Sequence, residues 1–140
     1  MNIEEIENKI VDDFSMLDEW DDKYSYIIEL GKKLKPLDEK YKTDERLIRG
    51  CQSRVWLRSY LDDNNKVIYE ADSDAIITKG LVSMLVQVLS NHKASEIVNS
   101  ELTFIDRIGM KQHLSPTRSN GLVSMVKQMK LDALAFNSIE

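Results

Sequence analysis

The stretch Val55-Trp-Leu-Arg-Ser-Tyr-Leu-Asp-Asp-Asn-Asn-Lys-Val-Ile-Tyr-Glu-Ala71 decides the fold of this chain. Apolar and polar residues alternate on both sides of a central polar run, which is typical of two half-buried strands joined by a turn. The central run has turn chemistry, since Asn64 and Asn65 tolerate the positive φ that tight turns require. The sequence therefore predicts an antiparallel hairpin over residues 55–71.

A two-stranded ribbon is only marginally stable in water, so the hairpin needs a third strand and helices that cover one face. Residues Arg46 to Ile48 form the predicted third strand, with Cys51 in the turn that leads into Val55. The expected fold class is α+β, with a small antiparallel sheet of about three strands flanked by helices. We expect residues 1–140 to form one domain, because a chain of this length buries enough surface without a disulfide or a metal.

Apolar residues recur at three- and four-residue spacing on both sides of the hairpin, which predicts amphipathic helices. A first helix is expected over residues 2–14 and a second from Trp20 to Leu34, where Pro36 ends it. Gly31 lies on the apolar face of the second helix and is expected to permit close packing. Residues 75–90 are apolar around most of the circumference, which predicts a central buried helix.

Shorter helical segments are expected near the C-terminus. They run from residue 94 or 95 to Val98 and over 102–108, and the second of them is ended by Gly109. After the polar loop 113–121 a last helix begins, with Ser119 or Asn120 as its expected N-cap, while Asp72 or Ser73 is expected to cap the central helix.

Cys51 is the only cysteine and follows Gly50. Four of the six arginines lie within thirteen residues around it: Arg46, Arg49, Arg54 and Arg58. Nearby cations favour the thiolate, which is the reactive form of cysteine. A small buried apolar side chain is the alternative, because unpaired cysteines are among the most buried residues in proteins. Both interpretations remain open on these residues alone.

Several kinds of site have little support in the sequence. One cysteine and two distant histidines, His92 and His113, make a poor zinc site and a poor cluster scaffold. No glycine-rich nucleotide-binding loop is present. A Cys–His hydrolase with Cys51 as nucleophile and His113 as base is chemically open, but no spacing selects it. Thiol transfer fits better, because it requires one nucleophilic sulfur and no base relay.

Composition and charge limit the partners. The net charge is -5, and residues 1–40 hold 12 acidic and 6 basic residues. An acidic surface disfavours non-specific binding to nucleic acid or to anionic lipid. No apolar run is long enough to span a membrane, and the acidic start lacks the pattern of a signal peptide. A single cysteine suits a reducing compartment, so we expect a cytoplasmic protein with neither a nucleic-acid nor a membrane partner.

Three motifs, in this order, resemble the SufE family of sulfur acceptors: Arg49-Gly-Cys-Gln-Ser-Arg-Val-Trp-Leu57, Ala71-Asp-Ser-Asp-Ala-Ile-Ile-Thr-Lys-Gly-Leu81 and His113-Leu-Ser-Pro-Thr-Arg-Ser-Asn-Gly-Leu122. The resemblance runs from Trp20 to the last helix. It implies a fold similar to that of iron–sulfur scaffold proteins. It also implies that the cysteine loop is sheltered in an apolar cavity until a partner docks.

The resemblance further implies a function for Cys51. This cysteine would accept a persulfide sulfur from a SufS-like cysteine desulfurase, stimulate that enzyme, and pass the sulfur to a SufBCD-like iron–sulfur scaffold complex. The chain would then be an accessory protein rather than a stand-alone enzyme. Pyridoxal phosphate would belong to the desulfurase, so we expect no cofactor and no metal here. A structural adaptor that uses the same surface without sulfur chemistry is the alternative.

The resemblance also assigns supporting residues, which would contact the partner or hold the cysteine loop. They are Arg49, Gly50, Gln52, Ser53, Arg54, Asp72, Asp74 and Arg118. For Asp72, Asp74 and Arg118, structural capping is the competing interpretation.

Overall fold

The computed structural model describes residues 1–48, 53–110 and 116–138, with the backbone alone over 116–120. Helices and strands follow one another along the chain as α1 (Ile3–Ser15), α2 (Trp20–Lys33), β1 (Val55–Leu61), β2 (Lys66–Ser73), α3 (Ile76–Leu89), β3 (His92–Lys93), α4 (Ala94–Val98), α5 (Phe104–Arg107) and α6 (Pro116–Asn137). Two short 3-10 turns, Glu39–Tyr41 and Asp44–Arg46, lie between α2 and β1. The predicted α+β class, with a three-stranded antiparallel sheet and flanking helices, is confirmed.

The β1–β2 hairpin forms as the sequence predicts. Val55 lies opposite Ser73, and Leu61 lies opposite Val67 in the antiparallel register. The turn is held by the Asp62 carboxylate, whose Oδ1 accepts hydrogen bonds from two backbone amides further along the turn, each at 2.9 Å. Asn65 takes the expected positive φ, at 60°.

The third strand of the sheet is not the predicted one. That strand was expected over Arg46 to Ile48. Instead, Arg46 ends a 3-10 turn, and Leu47 makes a single bridge to Trp56. The third strand is β3, which pairs with the other side of β2 through Val67 and His92. A two-residue strand is too short to show the alternation from which strands are predicted.

Helix α3 is the centre of the core, as predicted. Seven of its residues are buried, and six of them form one apolar cluster with the inward side chains of β1 and β2. Helix α2 crosses α3 at a pair of glycines, Gly31 and Gly80, whose backbones are in contact. A methyl group on Gly31 would lie 2.9 Å from the Gly80 nitrogen, so the predicted close packing at Gly31 is confirmed.

The C-terminal helices differ from the prediction at one boundary. Helix α5 lies inside the predicted range, and Gly109 follows it with a φ of 75°. Helix α6 begins at Pro116, so neither Ser119 nor Asn120 is its N-cap. Proline suits the first turn of a helix, since the amide it lacks would have no partner within the helix. Although α6 has 22 residues, no helix in the described ranges has the length and apolar character that crossing a membrane requires.

The glycine contact between α2 and α3 generates a stability prediction. In Gly80→Ala the new methyl group would overlap the Ile27 carbonyl oxygen and lie 2.8 Å from its carbon. Alanine gains about 1 kcal/mol over glycine in a helix. Overpacking against a rigid backbone costs about 1 to 3 kcal/mol or more, so we expect a net loss of stability in urea unfolding.

Ser25→Ala is the matched control, because Ser25 lies on the exposed side of α2. It should unfold at the same urea concentration as the wild type or slightly above it. Wild-type stability in Gly80→Ala would contradict the close contact between the two helices.

Candidate functional site

The residues predicted to form the site are divided between described and undescribed parts of the chain. Arg49, Gly50, Cys51 and Gln52 lie outside the described residues. Ile48 is the last described residue before them and Ser53 the first after them. The described part of the site therefore consists of the two flanks of the segment 49–52 and the groups that hold those flanks.

The N-terminal flank, which ends at Ile48, is attached to β1. The Ile48 amide donates to the Val55 carbonyl at 2.8 Å, and Leu47 forms its bridge with Trp56. Just upstream, the Arg46 guanidinium lies 5.0 Å from the centroid of the Tyr41 ring. This flank thus lies along the outer edge of the sheet, beside the strand that follows Cys51 in sequence.

The C-terminal flank, which begins at Ser53, is held by Ser73 at the end of β2 and by Asp74 directly after it. The Arg54 amide donates to the Asp74 carboxylate at 3.0 Å, and the Asp74 amide donates back to the Arg54 carbonyl at 3.2 Å. The same carbonyl accepts a hydrogen bond from the Ser73 hydroxyl at 2.9 Å. Three hydrogen bonds therefore fix the Arg54 backbone, while the side chains of Arg54 and Asp74 are exposed and that of Ser53 is half-buried.

Asp72 has a different role from the cap expected of it. Its carboxylate is buried and accepts hydrogen bonds from the amides of Leu37, at 3.2 Å, and Ser73, at 2.8 Å. It also forms ion pairs with Lys42 and Lys79, each at 3.4 Å. Asp72 thereby joins the connection between α2 and β1 to helix α3. The hydroxyl of its neighbour Ser73 accepts from the amide of Ala75, the residue before α3, at 3.3 Å.

These contacts set the ionisation of Asp72. Burial by itself would raise the pKa of this carboxyl group. The two amide hydrogen bonds and the two ammonium groups lower it by more, so the pKa of Asp72 lies below the ordinary value of 3.8. The carboxylate is therefore charged throughout the physiological range.

A layer of cations and aromatic rings covers the outer face of β1. The Arg58 guanidinium lies 4.1 Å from the Tyr41 ring centroid and 4.4 Å from that of Tyr60, and it pairs with Glu70 at 2.7 Å. Arg46 and Arg54 form no ion pair within the described residues. Of the described arginines near Cys51, these two carry charge that no described acid neutralises.

Two further predictions concern Arg118 and metals. The backbone of Arg118 lies in the first turn of α6, and its side chain is outside the described residues.

No group of three or more His, Cys, Asp or Glu side chains in the described ranges is placed so that it could hold a metal ion. His92 is buried, and its two ring nitrogens lie 3.4 Å and 3.2 Å from the carbonyl oxygens of Leu89 and Met1.

Sequence reasoning missed the partners of Asp72. Leu37 and Lys42 lie in a polar connection with no periodic pattern, and they reach Asp72 only through the tertiary fold. Lys79 offered the one usable signal, because a lysine within an otherwise apolar helix requires a partner or an outlet to solvent.

Comparison of the sequence with known protein families identifies the family of this chain. The SufE profile, described as an Fe-S metabolism associated domain, matches residues 8–133. The chain belongs to the SufE family. The matched SufE region contains the segment 49–52 and both of its anchored flanks.

Named SufE-like relatives agree with this assignment. The chain is 43% identical over 135 residues to "SufE-like protein 1, chloroplastic/mitochondrial" of Arabidopsis thaliana, in an alignment that covers 94% of this chain but 36% of that protein. It is 41% identical over 130 residues to an uncharacterised SufE-like protein of Rhizobium meliloti, and that alignment covers 90% of this chain and 93% of the relative. This SufE-family chain thus spans about a third of the plant relative and nearly all of the bacterial one.

A solved structure shares the fold. The solution structure of a hypothetical protein from Thermus thermophilus superposes with a TM-score of 0.78, over 95% of this chain and 96% of the other. The two sequences are 14% identical, so the similarity concerns the architecture of the SufE domain alone.

The Asp72 contacts predict how stability depends on pH. Asp72→Asn removes the charge that two ammonium groups face, so it should lower the free energy of unfolding at pH 7 by about 1 to 3 kcal/mol. A folded-state pKa below 3.8 means that the contribution is complete above that value and is lost as the pH falls through the folded pKa. Urea unfolding at pH 7 and at steps below pH 4 should show the wild type and the variant converging.

Asp63→Asn in the exposed hairpin turn is the matched control, and its difference from the wild type should be small at every pH. A constant difference between Asp72→Asn and the wild type down to pH 3 would contradict the charged role of Asp72.

Proposed function

We propose that the chain is a persulfide carrier, in which Cys51 accepts sulfur from a cysteine desulfurase and passes it to an iron–sulfur cluster scaffold. One observation carries the proposal: the only cysteine of a SufE-family chain lies in the sequence between Ile48, which bonds to Val55, and Arg54, which Ser73 and Asp74 hold. The family assignment supplies the link to iron–sulfur metabolism.

The transfer requires one sulfur nucleophile on this chain. The Cys51 thiolate attacks the terminal sulfur of a persulfide on the desulfurase, and a new sulfur–sulfur bond forms on Cys51. The bond within the donor persulfide breaks, and its electron pair leaves with the desulfurase cysteine as a thiolate. No net oxidation occurs, because one persulfide is exchanged for another.

The electrostatics of the flanks support this reaction. At an ordinary cysteine pKa, about 3% of the thiol is ionised at pH 7. Positive charge nearby increases the ionised fraction, and the Arg46 and Arg54 side chains are the described cations closest to Cys51 in sequence without an acidic partner in the described ranges. Both residues would therefore favour the attacking form of Cys51.

The proposed partners follow from the same assignment. They are a SufS-like desulfurase, which holds the pyridoxal phosphate, and a SufBCD-like scaffold complex that receives the sulfur. Neither role requires a cofactor or a metal on this chain. A cytoplasmic location is part of the proposal, and the single cysteine is compatible with a reducing compartment.

Cys51→Ser tests the carrier. The substitution removes the nucleophile and nearly preserves the side-chain volume, so the protein should fold and still bind the desulfurase. Stimulation of the desulfurase should be lost. Mass spectrometry of the wild-type protein after turnover should find one added sulfur on Cys51, and the variant should gain none.

Circular dichroism and a binding titration serve as controls, because a misfolded or non-binding variant would lose stimulation for another reason. Full stimulation by a folded Cys51→Ser protein would contradict the carrier and favour an adaptor that acts by binding alone.

A further inference from the structure

Glu7 and Asp72 are the two buried carboxylates among the described residues, and their surroundings differ. Glu7 lies on α1 and is 3% exposed. Its Oε2 accepts hydrogen bonds from the amides of Thr103, at 2.8 Å, and Phe104, at 3.0 Å. Asp72 also accepts from two amides but faces two ammonium groups besides, whereas Glu7 forms no ion pair within the described residues. The described part of the chain therefore supplies no counter-charge for Glu7.

The second carboxylate oxygen of Glu7 opens into a groove. Oε1 has no hydrogen-bond partner among the described residues. Every side-chain oxygen that the described fold closes off from solvent has such a partner, so Oε1 reaches solvent. Glu7 lines a groove of about 570 Å³ between the start of α1, the helix α4 and the chain that leads into α5, and we call it the Glu7 groove. Its volume lies within the range of pockets that hold ligands, which is about 300 to 1,000 Å³.

The charge around the Glu7 groove is negative. Glu4, Glu96 and Glu101 line it, are exposed, and form no ion pair within the described residues. Arg107 is the one cation in the described lining, and its guanidinium donates to the Asn8 side chain at 2.9 Å. Together with the buried carboxylate, four negative charges lie beside one positive charge. A cationic occupant is therefore favoured over a neutral or anionic one.

The placement of the acids selects the kind of cation. No three acidic side chains in the described ranges are close enough together to hold a metal ion. An aliphatic polyamine carries ammonium groups that are separated along one slender chain, so one group can reach Oε1 of Glu7 while another lies beside the exposed glutamates. Ile3 also lines the groove and offers apolar surface to the methylene groups between the charges. A lysine-rich strand fits less well, because its successive side chains point to opposite faces.

We propose that the Glu7 groove binds an aliphatic polyamine. One ammonium group of the polyamine donates to Oε1 of Glu7 and supplies the missing counter-charge, as Lys42 and Lys79 do for Asp72. The other ammonium groups lie beside the exposed glutamates of the lining. No residue assigned to sulfur transfer lines this groove, so the site is independent of the proposed function.

Spermidine is the probe. Titrated into the full chain labelled with nitrogen-15, it should shift the amide resonances of Thr103 and Phe104, because these amides donate to the carboxylate that binds it. The amides of Leu37 and Ser73 are the matched control, since they donate to the other buried carboxylate, Asp72, and should not shift. Putrescine carries one charge fewer, so it should bind several-fold more weakly.

Charge removal locates the site. Glu7→Gln keeps an acceptor for the two amides but removes the charge, and it should weaken spermidine binding at least about tenfold. Glu4→Gln combined with Glu101→Gln changes exposed side chains alone, so it should fold and weaken spermidine several-fold. Asp18→Asn combined with Glu19→Gln removes the same charge from exposed positions outside the described lining and should leave the affinity within about twofold of the wild type.

Three outcomes would overturn the proposal. The first is that millimolar spermidine leaves the amides of Thr103 and Phe104 unshifted. The second is an equal loss of affinity in the groove double variant and in its control, which would mean non-specific attraction to an acidic surface. The third is a capped trilysine peptide that binds more tightly than spermidine, which would assign the groove to a basic partner protein instead.

Discussion

The buried carboxylate of Asp72 is the interaction on which the candidate site depends. A charged group that is 4% exposed is tolerated only when its hydrogen bonds and counter-charges are supplied by the protein. Asp72 obtains them from two backbone amides and from the ammonium groups of Lys42 and Lys79. Because these partners come from the α2–β1 connection, from β2 and from α3, one charge holds three parts of the chain in register.

The residues next to Asp72 hold the chain on the C-terminal side of Cys51. Ser73 and Asp74 hold the backbone of Arg54, while the connection that Asp72 anchors continues to Ile48 and its bond with Val55. The backbone of Arg54 thus depends directly on Ser73 and Asp74, whereas Asp72 anchors the start of the connection that leads to Ile48.

The sequence predicted the features that local patterns determine. Alternation in β1 and β2, the Asn65 turn, the buried helix α3 and the close contact at Gly31 were all predictable, because each depends on periodicity or on one residue's conformational preference. The resemblance of three motifs also predicted the family. What local patterns could not predict was a two-residue strand at His92–Lys93 and the long-range partners of Asp72.

Two differences have simple physical causes. Residues 46–48 resemble a strand but make only one bridge, because the preceding 3-10 turn brings the chain to β1 at a single point. Asp72 resembles a helix cap, but its carboxylate accepts from the amides of Leu37 and Ser73 and pairs with Lys42 and Lys79, which gives its charge more than a cap would. In both cases tertiary contacts outweigh the local preference.

The most direct test is the rate of single-turnover sulfur transfer from a persulfide-loaded desulfurase to Cys51. The reaction is quenched at intervals and the added sulfur is measured by mass spectrometry. The wild type and the exposed control Asp63→Ala should transfer at equal rates, and Asp74→Ala should transfer several-fold more slowly while retaining the wild-type circular dichroism spectrum. A wild-type protein whose Cys51 receives no sulfur, or an Asp74→Ala variant that accepts sulfur as fast as the control, would contradict a carrier whose Cys51 depends on the Asp74 contacts.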